Sequence, residues 1–286
     1  MRKTPIAVLA VLAIVGTLVV VIVARSMSGD IKIALPQIGP ECTVQAEGEV
    51  ILDTVQMANA ATITAVGIRR GMPQQAVVIA LATALQESKL ENRDDGDRDS
   101  VGLFQQRPSQ GWGTADKIKD PRYAADKFYT ALKKVKGWEK MRVTDAAQRV
   151  QRSAYPNAYQ KWVDESTVLA RALTGHATGA VACTLTGAPV LRGAAAAAAL
   201  MNGLKLDWGK GLTKPVAAQA AGLTVAVTNA STGWRYAHWL VSHASDTGLE
   251  RVRFADLEWY APDGKWQPVT ADAGVDEHRV VAQVFS

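Results

Sequence analysis

Residues Ile6 to Ala24 form an uncharged run of nineteen residues, rich in Val, Leu, Ile and Ala, between Arg2–Lys3 and Arg25. As a helix rising 1.5 Å per residue it is roughly 28 Å long, enough to cross a hydrocarbon core. A cleaved signal peptide has a shorter apolar core and a small-x-small site. Val23 to Ser26 offer no clean site. The run therefore reads as a single-pass membrane anchor, with a cleaved signal and a secreted product as the alternative. Either way Arg2 and Lys3 stay cytoplasmic and the bulk of the chain is extracytoplasmic.

Export sets the context for the rest. The 286-residue chain carries a formal net charge of +5. A mildly basic surface suits anionic partners such as cell-wall polymers, lipid headgroups or nucleic acid, or serves solubility alone. An exported chain is a poor nucleic-acid binder, so that class is set aside. There are two cysteines, Cys42 and Cys183. In an oxidising compartment a pair is expected to join as a disulfide, the alternative being two buried thiols. No Cys/His cluster has metal-ligand spacing, so neither a structural metal nor another cofactor is expected.

Composition divides the chain. Residues 1–25 are the anchor. Residues 26–41 read as a linker, with Pro36, Gly39 and Pro40 blocking regular structure. Between the cysteines, residues 42–183 read as almost all helix. One helix is expected from about Asp53 to Arg70, and a buried one from about Pro73 to Ser88, with Pro73 at its first position. Asp120 before Pro121 marks another start. Further helices are expected near Thr144 to Val150 and Tyr159 to Leu173. Residues 184–193 read as a second linker. The poly-alanine run Ala194 to Ala199 favours helix. After it, Leu223–Thr228, Val252–Trp259 and His278–Val284 read as strands and Trp234–Ser245 as a helix. Residues 194–286 are thus expected to be a small α+β domain, and the whole chain α+β.

The chemistry is concentrated in the stretch from Ala84 to Thr114, ALQESKLENRDDGDRDSVGLFQQRPSQGWGT. Glu87 falls in the last turn of a helix whose preceding residues are apolar. The negative end of the helix dipole and apolar neighbours both disfavour its charged form. A carboxylic acid that keeps its proton near neutrality is what protonating a glycosidic oxygen requires. An exposed helix-end glutamate is the bland alternative.

Glu87-Ser88, followed by Ser100-Val101-Gly102-Leu103-Phe104-Gln105 and Pro108, resembles the lysozyme-like superfamily, in particular soluble lytic transglycosylases and goose-type lysozymes. The string DSVGLFQQRPSQGWG also resembles envelope proteins of high-GC Gram-positive bacteria. The similarity spans about residues 50 to 175. It implies a mainly helical lysozyme-like domain at 42–183 that cleaves peptidoglycan glycan strands. By the resemblance Glu87 is the acid/base. Ser88, Ser100 and Gln105 line or support the sugar groove, and Gly102 lets the backbone approach the substrate. Gln151 and Tyr155 reach the groove from the segment 148–159, QRVQRSAYPNAY, which stands where transglycosylases carry Tyr-Asn-Ala-Gly. No Asn-Ala-Gly is present here. Phe104 reads as core, and Trp112 as a stacking platform or a packed ring.

One carboxylate or two decides the reaction. A hydrolase needs a second acid to activate water or to act as nucleophile. Asp94, Asp95, Asp97 and Asp99 are candidates, although their clustering around Gly96 equally suits a solvated loop. An EF-hand reading fails for want of a closing glutamate. A lytic transglycosylase needs one glutamate, because the muramic acid's own 6-hydroxyl attacks. That route is preferred; a hydrolytic muramidase and a non-catalytic wall-binding protein are the alternatives. The C-terminal domain, with Trp234, His238, Trp239, His243, Trp259 and Trp266, reads as a binding or docking module. Local wall cleavage serves envelope, secretion or conjugation machinery, and these are candidate partners.

Overall fold

A computed structural model of the chain describes residues 39–286 apart from 154, 210, 211, 213, 214, 220 and 270–275. The expected anchor and all but the end of the first linker lie outside the described residues. Among the described residues no helix is long and apolar enough to cross a membrane.

The chain is α+β, as its patterning implies, but strands also occur where helix was expected. β1 (Glu41–Gln45) pairs antiparallel with β2 (Glu49–Asp53) and with β3 (Val181–Thr184). Residues 42–183 therefore begin and end in sheet, which corrects the almost all-helical reading. Cys42, Val44, Val50 and Leu52 alternate inward over strands of only five residues. So brief a two-residue period is overshadowed by the longer helical patterns beside it. Cys42 stands opposite Cys183 in register, and the two form a disulfide with an S–S distance of 2.06 Å. The expected pairing is present.

Asp53 ends β2 and starts α1 (Thr54–Arg69). Its carboxylate accepts from the Gln56 N–H at 2.8 Å, while Gln56 Oε1 accepts from the Asp53 N–H at 3.0 Å. That reciprocal pair satisfies two helix-end donors. α2 (Gln74–Ser88) follows, with Pro73 as its cap rather than its first helical residue. Every side chain of α2 from Ala76 to Leu85 is buried. It is the central helix, contacted by α1, α4 (Pro121–Leu132), α5 (Val143–Gln151) and α6 (Val163–Leu173). The short α3 (Ala115–Ile118) leads into α4, where Asp120 caps the Arg122 N–H at 2.9 Å.

α7 (Gly193–Trp208) contains the alanine run. Beyond it β4 (Pro215–Gln219), β5 (Gly222–Ala226), β6 (Leu249–Ala255), β7 (Leu257–Tyr260), β8 (Lys265–Pro268) and β9 (Asp276–Val284) build a six-stranded antiparallel sheet in the order β4-β5-β9-β6-β7-β8. The last strand is thus inserted into the middle. The single strand expected at 252–259 is two, with Phe254 opposite Leu257 across a two-residue reversal. That turn is Ala255-Asp256, with Ala255 at φ 52°, so it lacks the glycine or asparagine that usually announces one.

α8 (Ala230–Ser242) has one side on β6 and β9 and the other on α1, α6 and β3. Its tryptophans, Trp234 and Trp239, are buried. α9 (Ala244–Thr247) closes this helical turn before β6. Beneath α8 the fully buried Asp207 accepts from Thr62 Oγ1 at 2.9 Å and Trp239 Nε1 at 2.8 Å, and pairs with Arg122. Residues before and after 184–193 therefore share one hydrophobic core and one buried polar cluster.

Candidate active site

Glu87 occupies the last turn of α2, half-buried, at the point where the chain leaves the core. Two donors converge on its Oε1: the Tyr159 hydroxyl at 2.7 Å and Gln151 Nε2 at 3.1 Å. Gln151 Nε2 also donates to the Phe104 carbonyl at 2.8 Å, which ties its amide to the loop across the cleft. Among the described residues, Oε2 has no hydrogen-bond partner. Burial pushes the Glu87 carboxyl above the usual range, and the bonds from Tyr159 and Gln151 pull the other way without cancelling it. Tyr159 is driven up by burial and by the negative charge of Glu87, so its hydroxyl stays a donor.

The backbone around Glu87 is unusually constrained. Lys89 and Leu90, just past the helix end, take φ of 61° and 63°. Gln56 holds the Lys89 carbonyl and the buried Asn59 holds the Leu90 carbonyl, both from α1. Gln105 and Arg152 are also left-handed, at 47° and 55°. Such conformations cost of order 1–3 kcal/mol each and persist where surrounding contacts over-determine them. Here all four flank one cleft or the residue at its head. On the opposite side Trp162 Nε1 donates to Gln86 Oε1 at 2.9 Å, so Tyr159 and Trp162 clamp neighbouring residues of α2.

The cleft beside Glu87 has a volume of about 350 Å³. Ser100, Gln105, Gln151 and Tyr155 line it with Glu87, and so do Asp97, Trp112 and Arg152. Tyr155 is 74% exposed, a ring standing in solvent at the rim. Ser88 and Gly102 are placed differently. Ser88 is buried, and its hydroxyl shares its one proton between the Leu103 carbonyl at 2.8 Å and the Ala84 carbonyl at 3.1 Å, pinning the loop to the helix end. Gly102 sits at φ 79°, and a Cβ there would lie 2.8 Å from the Ile118 carbonyl. Its close approach is to the chain's own backbone. Phe104 is core, stacked on Phe128 with centroids 4.7 Å apart.

The acidic loop resolves into separate roles. Arg107, first, and then the Ser109 N–H hold Asp99 down to about 2, so it stays ionised and braces the turn. Asp94 pairs with Lys119 and Asp95 lies near Arg93. Of the four aspartates Asp97 alone lines the cleft. Among the described residues no group of three or more His, Cys, Asp or Glu could hold a metal ion.

Tyr159 is the principal residue that sequence reasoning passed over. It lies four residues beyond Tyr155, inside the segment already matched to the far wall of the groove. With Tyr155 exposed and Tyr159 fully buried, the second tyrosine is the one that reaches the acid. Comparison with protein-family models and with curated proteins finds no match to this chain.

Proposed function

We propose that this protein is a glycan-cleaving enzyme of the lysozyme-like class, built from a helical lysozyme-like part and a smaller α+β part. More particularly, we infer a lytic transglycosylase that cuts the bond between N-acetylmuramic acid and N-acetylglucosamine in peptidoglycan. The observation that carries the reading is the environment of Glu87: a carboxyl raised by burial, oriented through one oxygen by Tyr159 and Gln151, on the wall of a polar cleft.

In this mechanism Oε2 carries the proton. It is given to the glycosidic oxygen as the bond from that oxygen to C1 of the muramic acid breaks. The resulting carboxylate, held by two donors on Oε1, takes the proton of the same sugar's 6-hydroxyl while that oxygen bonds to C1. The products are a 1,6-anhydro end and a free 4-hydroxyl, and no water is consumed. Trp112 offers a face for a sugar ring. The apolar run at 6–24 tethers the enzyme to the membrane with its catalytic part outside, and the C-terminal sheet serves as a docking module for envelope machinery.

Asp97 favours a second reading, a hydrolytic muramidase, because a carboxylate in the same cleft could activate water. Digestion of purified sacculi by the wild-type protein beside Glu87→Gln separates these ideas. Mass spectrometry should find anhydro-muramic ends, released by the wild type and lost in the variant. Reducing ends in their place would establish the hydrolase. Equal biological function of the variant and the wild type, with no glycan release by either, would leave a wall-binding protein.

A further inference from the structure

The cleft at Glu87 does not end at Tyr155. It continues past Gln110, Trp112, Gln151 and Arg152, which it shares with a larger recess of about 750 Å³. Lys127, Lys134, Arg149 and Arg152 line that recess, and no Asp or Glu does. None of the four cations lies within ion-pair distance of a carboxylate among the described residues. Between them, Trp112, Ala131, Val135 and Val150 supply an apolar floor. Arg152, in its left-handed conformation at the end of α5, stands at the junction of the two spaces.

We propose that this basic annex binds the free carboxylates of the peptide side chains attached to the glycan, so that the enzyme selects strands whose stems are present and unamidated. The inference rests on the glycan-cleaving reading of the Glu87 cleft. Because the two spaces share a wall, a group borne on the same strand next to the scissile bond is within reach of the annex. Lys127 lies over the Tyr123 ring and Arg149 acts on Asp145 from a distance, yet no carboxylate contacts any of the four, and their summed positive charge favours an anion. The apolar floor asks for more than a phosphate or a bare sugar acid. A short peptide of small apolar residues ending in carboxylates presents both, and the recess has the volume of an ordinary ligand pocket.

The test uses three substrates: glycan stripped of peptide, glycan with free-carboxylate stems, and the same glycan with its stem carboxylates converted to amides. The wild-type protein should show its highest kcat/KM on the free-carboxylate strands. Lys134→Ala combined with Arg149→Ala should lower the ratio of kcat/KM on free-carboxylate to amidated strands by about 2- to 30-fold, the sum expected of two exposed charge contacts. The effect should appear in KM and shrink with added salt. A wild type indifferent to amidation, or a double variant that keeps the full preference, would overturn the proposal. Binding of the same strands to Glu87→Gln, followed by fluorescence anisotropy, separates the two ideas. If the wild type cuts no strand but the free-carboxylate one binds Glu87→Gln best, the annex stands and the catalytic reading falls. If strands are cut but bind alike, or a glycerol-phosphate polymer displaces them better than free stem peptide does, the annex assignment falls alone.

Discussion

Replacing Tyr159 by phenylalanine removes one oxygen and leaves a ring that already fills a buried site. The oxygen removed is the donor 2.7 Å from Glu87 Oε1. A hydrogen bond to a charged partner contributes about 1.5–3 kcal/mol, and this one is of the short, charge-assisted kind. It is strongest on the carboxylate that appears as the proton departs, so its loss should fall on the transition state. At 1.36 kcal/mol per tenfold change, kcat should drop about 10- to 150-fold. Gln151 remains on the same oxygen at 3.1 Å, which places the expectation nearer the lower end. The pH dependence has a definite sign. The Tyr159 bond lowers the Glu87 pKa, so removing it raises that pKa further. The acid then keeps its proton to higher pH, and the alkaline limb of kcat/KM moves upward. The variant should be slower at its optimum yet decline later. The assay is release of anhydro-ended fragments from sacculi across pH, with a thermal melt to show that the fold persists. A rate within twofold of wild type, or an alkaline limb that stays put or moves down, would refute the role given to Tyr159.

Glu87→Gln should also change stability. A carboxyl whose native pKa lies above its unfolded value contributes most below the unfolded pKa of about 4.5, and that contribution is lost as pH rises through the native pKa. The variant should therefore gain in Tm relative to wild type between pH 4 and pH 7; a gap independent of pH counts against a buried acid. The Cys42–Cys183 bridge closes a loop of 141 residues, for which the chain-entropy model gives about 5 kcal/mol as an upper figure. Cys42→Ser with Cys183→Ser should lower the urea midpoint clearly, and an unchanged midpoint would mean that the bridge restrains little of the unfolded chain. Asp207→Ala removes the acceptor for Thr62 and Trp239 and leaves Arg122 only its longer contact to Asp120, at a cost of about 3–5 kcal/mol if the site cannot rehydrate. A double-mutant cycle with Arg122→Ala should show coupling, and additivity would remove the ion pair from the account.

Much of the helical framework is legible in the residues because it is stated locally. Asp53 and Gln56, Asp120 and Pro121, and the long apolar run of α2 carry their own start signals and period, and each forms the expected helix to within a few residues. The strands fail this test of locality. β1 and β3 lie 141 residues apart at the paired cysteines, and β9 joins the middle of its sheet from the chain's end. Neither partner choice is inscribed in a five- or nine-residue segment, because a strand's ladder is completed by another part of the chain.

The candidate site divides along the same line. That Glu87 closes an apolar helix, and that a glycine-bearing turn rich in amides follows, are properties of consecutive residues. Which tyrosine meets the acid is not: Tyr155 and Tyr159 are four apart, and only the packing of the 151–162 segment against α2 turns one into solvent and the other onto Oε1. Likewise the sequence names Ser88 and Gly102 as motif residues, while the fold uses one to pin a loop and the other to pass Ile118. Local order alone settled where the acid stands along the chain. Its proton affinity and its partners came from tertiary contacts, because desolvation and hydrogen bonding depend on neighbours that the chain brings from 64 and 72 residues away.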